Sequence, residues 1–441
     1  MPGGTVRDVV VVGAGIAGLA AAWSLRDLDV LVLEQSDRIG GRIRSERRGR
    51  YWLNFGAHVF AGQGTATDRL LRETGVETAE IPGVLTAVEL DGCVVAGGHV
   101  ETYPFRLPLS LRERLALVRT GVRVRLGVAR YDRILRDGDP QRVLAFLGDS
   151  SFADWLGPVP STVDAIVRPT LQRSAGEPED LSAGYGIGYF HLVWDRSGGL
   201  ARNILGGPST LVEAIASALG ERVRLRARVE DVTADGDGVR ITHSAGEERA
   251  QFAVVTTPAY ATRLIIRGLP DETRDALGKV VYGPYVVAAF RTGETEPMPW
   301  DHIYAVATAR RSFNMLFNMA NVLRADVQRR EPGGTLMVYS GAGLARRLWD
   351  VDDAHVVATY LADLDGVFPG ASRVVEETIV HRWEQGLAYV RPGRHRIQRA
   401  LERSLGRVLL AGDYLGSRYT ETAIATANAA AATIRDQLTS R

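Results

Sequence analysis

The segment DVVVVGAGIAGLAAAWSLRDLDVLVLE, from Asp8 to Glu34, constrains the fold more than any other part of the 441-residue chain. Val9 to Val12 form an uninterrupted apolar run that ends at glycine, which is typical of a buried parallel strand. The residues behind the glycines, LAAAWSL, favour a helix, and Val30 to Leu33 form a second apolar run. We therefore predict a strand, a tight turn, a helix and a second strand.

The glycines between the first strand and the helix have the spacing of a nucleotide-binding turn. Gly13 and Gly15 permit a tight turn and a close approach of the backbone to a pyrophosphate, while Gly18 lets the helix pack closely against the strand. The positive end of the helix dipole adds attraction for phosphate. Glu34 stands about 20 residues beyond, where a carboxylate accepts hydrogen bonds from both ribose hydroxyls and disfavours a 2′-phosphate.

This order of elements predicts a dinucleotide-binding unit. A glycine turn in an unrelated α/β protein would share only the GxGxxG spacing, whereas strand, glycines, helix, second strand and acid all occur here in sequence. The predicted cofactor contacts of this unit are Gly13, Ala14, Gly15, Ala17, Gly18, Glu34 and Gln35.

Composition sets the size and class of the protein. A chain of 441 residues with 45% hydrophobic content is too long for one ordinary core, so we expect two domains. The charges nearly balance, with 53 basic and 52 acidic residues, and this gives no reason to expect a nucleic-acid partner.

Cysteine usage and apolar runs bear on location. Cys93 is the only cysteine, which excludes an intrachain disulfide, a CxxC redox pair and a cysteine-based metal site. We expect a cytoplasmic protein without a metal. The predicted first strand leaves no room for a signal core, and no apolar run reaches the roughly 20 residues that a membrane-spanning helix needs.

A second glycine motif, DRIGGRIRS, follows Glu34 and contains Gly40, Gly41 and Arg42. Its position behind the first unit resembles the flavin amine oxidase superfamily, which includes monoamine oxidases, protoporphyrinogen oxidases and carotenoid desaturases. The resemblance implies that the cofactor is FAD. The glycine pair would let the chain pass close to the diphosphate, and the arginine would fork onto phosphate oxygens.

The segment YWLNFGAHVF resembles the loop that runs beside the isoalloxazine ring in this family. It implies that Gly56, Ala57 and His58 contact the flavin, with Asn54 standing where the family usually has an acid. His58 is also a candidate catalytic residue, because an unperturbed pKa of roughly 6.5 suits a base. The alternative is a structural histidine that is bonded to backbone.

Later segments extend the resemblance to the end of the chain. Val229 stands where the family holds adenine with backbone atoms. The strand RVLLAGD would bring Gly412 close to the ribityl chain, while Asp413 would accept a hydrogen bond from a flavin hydroxyl or order a phosphate-bound water. In the alanine-rich helix that follows, amides near Thr422 and Ala423 would face N1 and O2 of the flavin. Such a helix can also serve for packing alone.

These placements predict an α/β protein, α+β overall, in which a Rossmann-type FAD-binding domain is interleaved with a substrate-binding domain. The FAD-binding domain takes residues 1–75, 205–285 and 385–441, and the substrate-binding domain takes 76–204 and 286–384. Within the middle FAD segment, ADGDGV predicts a hairpin turn, because Asp-Gly tolerates the positive φ angles that such turns need.

One position bears on the branch of the family. Amine oxidases usually carry a lysine, water-bridged to flavin N5, in the strand that matches YGPYVVAAF. Val287 takes that place, and the only lysine, Lys279, lies eight positions earlier. Since that lysine assists oxygen chemistry and amine oxidation, its absence favours the protoporphyrinogen oxidase and desaturase side.

The segment RWEQGLAYVRPGRH resembles the tryptophan-containing segment that precedes the terminal FAD strand in protoporphyrinogen oxidases, with Ala388 in place of their usual proline. The resemblance implies that Trp383 and Tyr389 face the active site, which makes both of them catalytic candidates. Packing within a core or an interface is the alternative for each aromatic residue.

A basic segment, LSLRERLALVRTGVRVRLGVAR, has six arginines and one glutamate between Arg112 and Arg130. A basic amphipathic helix can lie on an anionic membrane. However, Gly121 and the alternating VRVRLGV predict a poor continuous apolar stripe. This favours the other interpretation, in which the segment is the solvated face of a helix that covers the substrate cavity.

The resemblance implies a two-electron oxidation of an organic small molecule, by C–C desaturation or C–N oxidation, with hydride passing to flavin N5. Two alternatives stay open: an isomerase or mutase that uses reduced FAD, and a nonenzymatic flavin-bearing subunit. The FAD should be noncovalent, because Cys93 lies far from the terminal region where some relatives attach flavin through cysteine.

Overall fold

The computed structural model describes residues 6–194, 202–236, 238–325, 330–417 and 419–440, without the side chains of 192 and 193. The strands are β1 (Arg7–Val12), β2 (Val30–Leu33), β3 (Ser45–Arg48), β4 (Tyr51–Asn54), β5 (Thr78–Glu80), β6 (Val84–Leu90), β7 (Cys93–Val95), β8 (Arg202–Ile204), β9 (Val223–Arg224), β10 (Val229–Asp235), β11 (Gly238–His243), β12 (Gly246–Val255), β13 (Val281–Thr292), β14 (Ile303–Thr308), β15 (Met315–Asn318), β16 (Gly334–Gly341), β17 (Val375–Tyr389) and β18 (Val408–Leu410). The α-helices are α1 (Ile16–Ser24), α2 (Ala66–Glu73), α3 (Tyr103–Arg106), α4 (Leu111–Arg136), α5 (Pro140–Ala145), α6 (Phe152–Leu156), α7 (Ser161–Gln172), α8 (Ala183–Trp194), α9 (Ser209–Leu219), α10 (Ala259–Ile265), α11 (Asp271–Gly278), α12 (Asn321–Arg324), α13 (Ala342–Leu348), α14 (Asp353–Val367), α15 (Gln398–Leu401) and α16 (Tyr419–Thr439). Short 3₁₀ helices lie at Val100–Thr102, Gly220–Arg222, Ala371–Val374, Arg394–Ile397 and Asp413–Leu415.

The first large sheet contains the predicted nucleotide-binding strands. Its order is β10-β11-β12-β1-β2-β9, with β18 beside β12. β1 pairs in parallel with both β2 and β12. Residues of α1, α9 and α16 pack on one face of this sheet, and residues of α10, α11 and α15 pack on the other. Because both faces are covered, Val9–Val12 is an unbroken apolar run, and the predicted α/β fold is confirmed.

The predicted hairpin in the middle segment is present as β10 and β11. The two strands are antiparallel, and the pairing closes at Asp235 and Gly238. Gly236 has a φ of +58°, which is the positive value that the Asp-Gly pattern predicts for such a turn. Asp237, the other predicted turn residue, lies outside the described residues.

The second large sheet has the order β17-β13-β16-β15-β14-β6-β7. Its pairs are antiparallel except for β14 with β6. Most of these strands come from the two segments expected to form the substrate-binding domain, but β13 and β17 each run a few residues across the expected limits. The division into two domains at those limits stays a prediction.

A helical layer built from α4, α6, α7 and α8 surrounds a third core. The basic segment forms a helix, as expected, and α4 is continuous over 26 residues although Gly121 and the VRVRLGV pattern favour a poor helical stripe. Ser110 and Glu113 form a capping box at its start, and Gly121 lies in its interior without ending it. The helix buries Val124 and Val128. Tertiary packing on this face outweighs the low helix propensity of glycine and valine.

The opposite side of α4 carries exposed apolar side chains. They are Leu111, Leu115, Val122 and Leu126, whose spacing of four, seven and four positions keeps them on one face. Arginines of the same helix flank this face, a pattern shared with basic amphipathic helices that lie on anionic lipid. Among the helices in the described ranges, none has both the length and the apolar character needed to cross a bilayer.

Candidate cofactor and substrate site

A cavity of about 1640 Å³ is lined by residues of both large sheets and of the helical layer. This volume exceeds the roughly 300–1,000 Å³ of an ordinary small-molecule pocket, so the cavity has room for more than one small ligand. One part of its wall is the glycine-rich turn behind β1, and another part is aromatic.

The turn between β1 and α1 is shaped by two glycines. Gly13 has a φ of +103°, which favours glycine. A Cβ on Gly18 would lie 1.8 Å from the carbonyl oxygen of Gly13, so close packing of helix and strand requires glycine there. These are the two roles that the sequence pattern predicts for these positions.

Gly15 is the open position of the same turn. It lines the cavity, and a Cβ built on it would meet nothing within 4 Å. It is also the N-cap of α1, where no side chain caps the helix and no acid lies in the first turn. The first amide groups of α1 are therefore available to an anionic ligand beside Gly15 and Ala17, and this arrangement fits a pyrophosphate.

Glu34 lies at the end of β2 and lines the cavity together with Gln35. Its Oε2 accepts the Ala14 N–H at 2.7 Å, and its Oε1 accepts the N–H and Oγ–H of Ser36 at 2.9 and 2.7 Å. The carboxylate, with the residue 9% exposed, thus fixes the glycine turn as well as facing the predicted ribose position. Val229, at the start of β10, lines the same part of the cavity.

The second glycine motif closes against the first. Gly40 donates its N–H to the Ala14 carbonyl at 2.8 Å. Gly40 and Gly41 both have positive φ angles, +96° and +55°, and a Cβ on Gly41 would come within 3.3 Å of the Gly15 Cα. Both glycines line the cavity. A bulkier or less flexible pair would disrupt this turn-to-turn contact.

Arg42 makes a bidentate ion pair with Asp413. Its two terminal nitrogens donate to the two carboxylate oxygens at 2.8 and 2.7 Å. Burial opposes the charge on Arg42, but Asp413 outweighs it and raises the pKa of the guanidinium. Both residues line the cavity, so the predicted phosphate-binding arginine and the predicted flavin-contacting aspartate form one neutral pair in its wall.

The loop of Gly56, Ala57 and His58, called the GAH loop below, packs tightly on the second glycine motif. A Cβ on Gly56 would lie 2.1 Å from the carbonyl oxygen of Arg42, and Ala57 donates its N–H to that oxygen at 3.0 Å. Gly56, Ala57 and His58 all line the cavity. Asn54, in place of the family's acid, donates to the Gly56 carbonyl at 2.9 Å and so supports the loop.

His58 is a buried, neutral imidazole. Its Nδ1 lies 3.0 Å from the Gly56 carbonyl oxygen; since that oxygen can only accept, Nδ1 carries the proton. Burial lowers the pKa of His58 to about 4. Its ring centroid lies 4.4 Å from that of Phe317, and Nε2 has no hydrogen-bond partner among the described residues.

Gly412 and α16 form the far end of the predicted flavin wall. Gly412 has a φ of +156° and a Cβ there would meet the Tyr414 ring at 2.9 Å. Gly412 and Ala423 line the cavity. Thr422, the other predicted contact, is not among the lining residues, and its side chain lies against Gly416.

The two aromatic candidates of β17 are placed differently. Trp383 lines the cavity and donates its Nε1–H to the Phe55 carbonyl at 2.6 Å. Tyr389 is not among the lining residues and packs in the core of the helical layer. The pairing register shifts between them, since Trp383 pairs with Tyr285 and Leu387 with Gly283. The pairing is therefore irregular between the two aromatics, which pack in different cores.

The sequence analysis missed the aromatic wall and the arginine within it. Among the lining residues that it did not name as site residues are Arg173, Tyr185, Tyr189, Tyr285, Phe317, Tyr339 and Tyr419. They come from α8, α16, three strands and the residue after α7, so sequence separation hides their proximity. A signal existed in AGYGIGYF, where two tyrosines are four positions apart on one helix face.

In the described parts of the chain, no group of His, Cys, Asp and Glu side chains is arranged to hold a metal ion.

Comparison with known proteins gives a family match over most of the chain. The family model described as "Flavin containing amine oxidoreductase" matches residues 16–435. A Mycobacterium tuberculosis protein named "Putative flavin-containing monoamine oxidase AofH" is 30% identical over 266 residues, 57% of each chain. Amine oxidase [flavin-containing] A of Sus scrofa is 28% identical over 319 residues, 64% of this chain and 56% of that one. The chain thus aligns with little more than half the length of these curated relatives.

Solved structures show the same fold at lower identity. A putrescine oxidase with bound putrescine has a TM-score of 0.81 at 20% identity and covers 98% of this chain and 99% of its own. Cyclohexylamine oxidase from Brevibacterium oxydans has a TM-score of 0.79 at 21% identity, covering 98% and 100%. A structure titled "Putative protoporphyrinogen oxidase" from Exiguobacterium has a TM-score of 0.73 at 17% identity, covering 99% and 100%.

Proposed function

The chain belongs to the family of flavin-containing amine oxidoreductases, and from this membership we propose that it oxidises an organic small molecule by two electrons with FAD as its cofactor. The observation that carries the proposal is one continuous cavity that joins a dinucleotide-type glycine turn to an aromatic chamber. The uncapped start of α1, the open face of Gly15 and the carboxylate of Glu34 fit the diphosphate and ribose of FAD. When bound, FAD supplies a two-electron acceptor that takes hydride at N5.

The residues of this chain would bind and orient the cofactor. The two glycine turns let backbone amides approach the diphosphate, and the GAH loop and Gly412 bound the space beyond them. The first turn of α16, around Thr422 and Ala423, presents the positive end of a helix dipole. A negative charge held there gains up to about 2 kcal/mol, which would favour the reduced state of the cofactor.

His58 is the candidate proton acceptor of the site. The neutral ring with its proton on Nδ1 leaves the Nε2 lone pair free of any described hydrogen-bond partner. The ring is neutral at pH 7 and can accept a proton, but burial lowers its pKa to about 4, so it is a weaker base than the value of roughly 6.5 expected from the sequence. The carbonyl of Gly56 would hold the ring in the required tautomer.

The branch of the family is the finer part of the proposal. Val287, 2% exposed, lines the cavity where amine oxidases usually carry a lysine, and the only lysine of the chain is Lys279, at the end of α11. We therefore assign the reaction to the protoporphyrinogen oxidase and desaturase side of the family, as desaturation of a C–C bond in a substrate that is not a simple amine. The curated relatives, which are named amine oxidases, favour the competing assignment of C–N oxidation.

Anaerobic mixing tests the proposal. We expect the flavin absorbance of the holoprotein to bleach with compounds that can be desaturated at a C–C bond and to stay unchanged with benzylamine and putrescine. Bleaching by these amines alone would reverse the choice of branch. An isomerase would turn over only after prior reduction of the flavin, and a protein without redox function would show neither turnover nor bleaching with any member of a broad substrate panel.

A further inference from the structure

Arg173 is a cation in the aromatic wall of the cavity. It follows the last residue of α7 and lines the cavity beside the hydroxyls of Tyr189, Tyr339 and Tyr419. Its backbone carbonyl accepts the Tyr285 hydroxyl at 2.6 Å, which holds this segment against β13. His58 lines the same cavity, and the charge of Arg173 contributes to lowering the pKa of His58.

No carboxylate among the described residues forms an ion pair with Arg173. The contrast with Arg168, five positions earlier, is direct, because that arginine pairs with Asp164, Glu177 and Glu179 at 2.7 to 3.0 Å. The acidic side chains near Arg168 therefore pair with that arginine, and within the described ranges none of them pairs with Arg173. Elsewhere in the cavity wall, Arg42 has the carboxylate of Asp413.

The hydroxyls around Arg173 do not neutralise it. Burial raises the pKa of Tyr339 to about 12, and burial raises the pKa of Tyr189 and Tyr419 as well. All three hydroxyls are thus uncharged at neutral pH, while a guanidinium stays protonated. Burial opposes the charge of Arg173, and a hydrogen bond with Tyr339 offsets part of that cost, but a ligand carboxylate would supply the counter-ion that the tyrosines do not.

We propose that Arg173 binds the carboxylate of an anionic organic substrate, with the tyrosine wall holding the apolar body of that molecule. The inference rests on the proposed function, since it assigns the substrate class to the same cavity. A guanidinium matches a carboxylate with two parallel hydrogen bonds, and neighbouring tyrosine hydroxyls can donate to the same oxygens. A fixed cation also repels protonated amines. This agrees with the assignment to a substrate that is not a simple amine, which rests on Val287 standing where amine oxidases usually carry a lysine.

A structural role for Arg173 is the competing explanation. The residue ends α7, where a cation stabilises the negative end of the helix dipole. That role concerns folding alone and predicts no preference between anionic and neutral ligands. The two roles therefore separate in a binding experiment.

The test uses benzoate and its neutral isostere benzamide with the FAD-loaded protein, and it reads the perturbation of the visible flavin spectrum. We expect the wild type to bind benzoate about tenfold to a hundredfold more tightly than benzamide, the range of a charge-assisted contact. Arg173→Met should lose this preference, and Arg173→Lys should retain part of it. Arg119→Met, which removes an exposed arginine of α4, is the charge-matched control and should behave as the wild type.

Equal binding of benzoate and benzamide by the wild type, or an unchanged preference in Arg173→Met, would overturn the inference. FAD content and melting temperature are measured on the same samples. A variant that holds FAD and melts normally but loses the benzoate preference supports the carboxylate site. Failure of the wild type to hold FAD would instead refute the proposed function.

Discussion

Replacing Glu34 by alanine separates the two roles that the structure gives to its carboxylate. Oε2 holds the N–H of the fully buried Ala14, and Oε1 holds both the N–H and the hydroxyl of Ser36. Loss of the acceptor for a buried N–H costs about 1–3 kcal/mol, so the FAD-free variant should melt below the FAD-free wild type. Loss of charge-assisted hydrogen bonds to the ribose should weaken FAD binding about tenfold to a hundredfold, or roughly 1.5–3 kcal/mol.

Two measurements keep these effects apart. Thermal unfolding without FAD reports the loss within the glycine turn, and quenching of FAD fluorescence on titration reports the affinity. Because FAD binds only the folded state, added FAD should restore much of the lost stability at high concentration. Ser36→Ala, which removes one donor to the same carboxylate, should change the affinity far less. If Glu34→Ala lowers the melting temperature but leaves the FAD affinity unchanged, the carboxylate only fixes the turn and the ribose contact is wrong.

Two further predictions concern the glycine turn and His58. Gly15→Ala should fold normally, because a Cβ there meets nothing within 4 Å, but should hold less FAD than the wild type; Gly18→Ala should lose the folded state, because its Cβ would lie 1.8 Å from the Gly13 carbonyl oxygen. Circular dichroism and flavin content distinguish the pair, and full FAD occupancy in Gly15→Ala would contradict the cofactor site. The folded-state pKa of His58, about 4, lies below its unfolded value of roughly 6.5, so its unfolded form takes up a proton first and stability falls as the pH drops from about 6.5 towards 4. Chemical denaturation at pH 7 and pH 5 measures the free energy of unfolding, and between these values His58→Gln should lose about 1–2 kcal/mol less of it than the wild type. His381 of β17, whose pKa burial also lowers to about 4, is present in both proteins and does not affect this difference. Equal losses would refute the depressed pKa of His58.

Local backbone constraints made the nucleotide end of the site predictable from sequence. Gly13 has a positive φ, and Gly18 lies too close to a carbonyl oxygen to carry a Cβ, so both positions require glycine. Their spacing behind the first strand, and the position of Glu34 at the end of the second strand, can therefore be recognised in the sequence. The structure adds the partners that sequence spacing cannot supply. The ion pair between Arg42 and Asp413, for example, joins residues 371 positions apart.

The substrate end of the cavity was not predictable in the same way. Its tyrosines and Arg173 come from elements that meet only in the folded chain, and each one alone looks like an ordinary core or surface residue. Trp383 and Tyr389 show the same limit within one strand, because neither the irregular pairing between them nor the separate cores that they join can be seen in the sequence. The continuity of α4 through Gly121 likewise depends on packing of its buried face, which residue propensity alone does not predict.

The flavin content of the purified protein tests the central claim most directly. Acid precipitation of a known amount of protein, followed by absorbance and chromatography of the supernatant, gives the amount and identity of the released cofactor. We predict about one FAD per chain in the supernatant and a colourless pellet, because Cys93 is not among the residues that line the cavity. Protein that contains no FAD and gains no thermal stability from added FAD would contradict the account, and colour that stays in the pellet would contradict noncovalent binding.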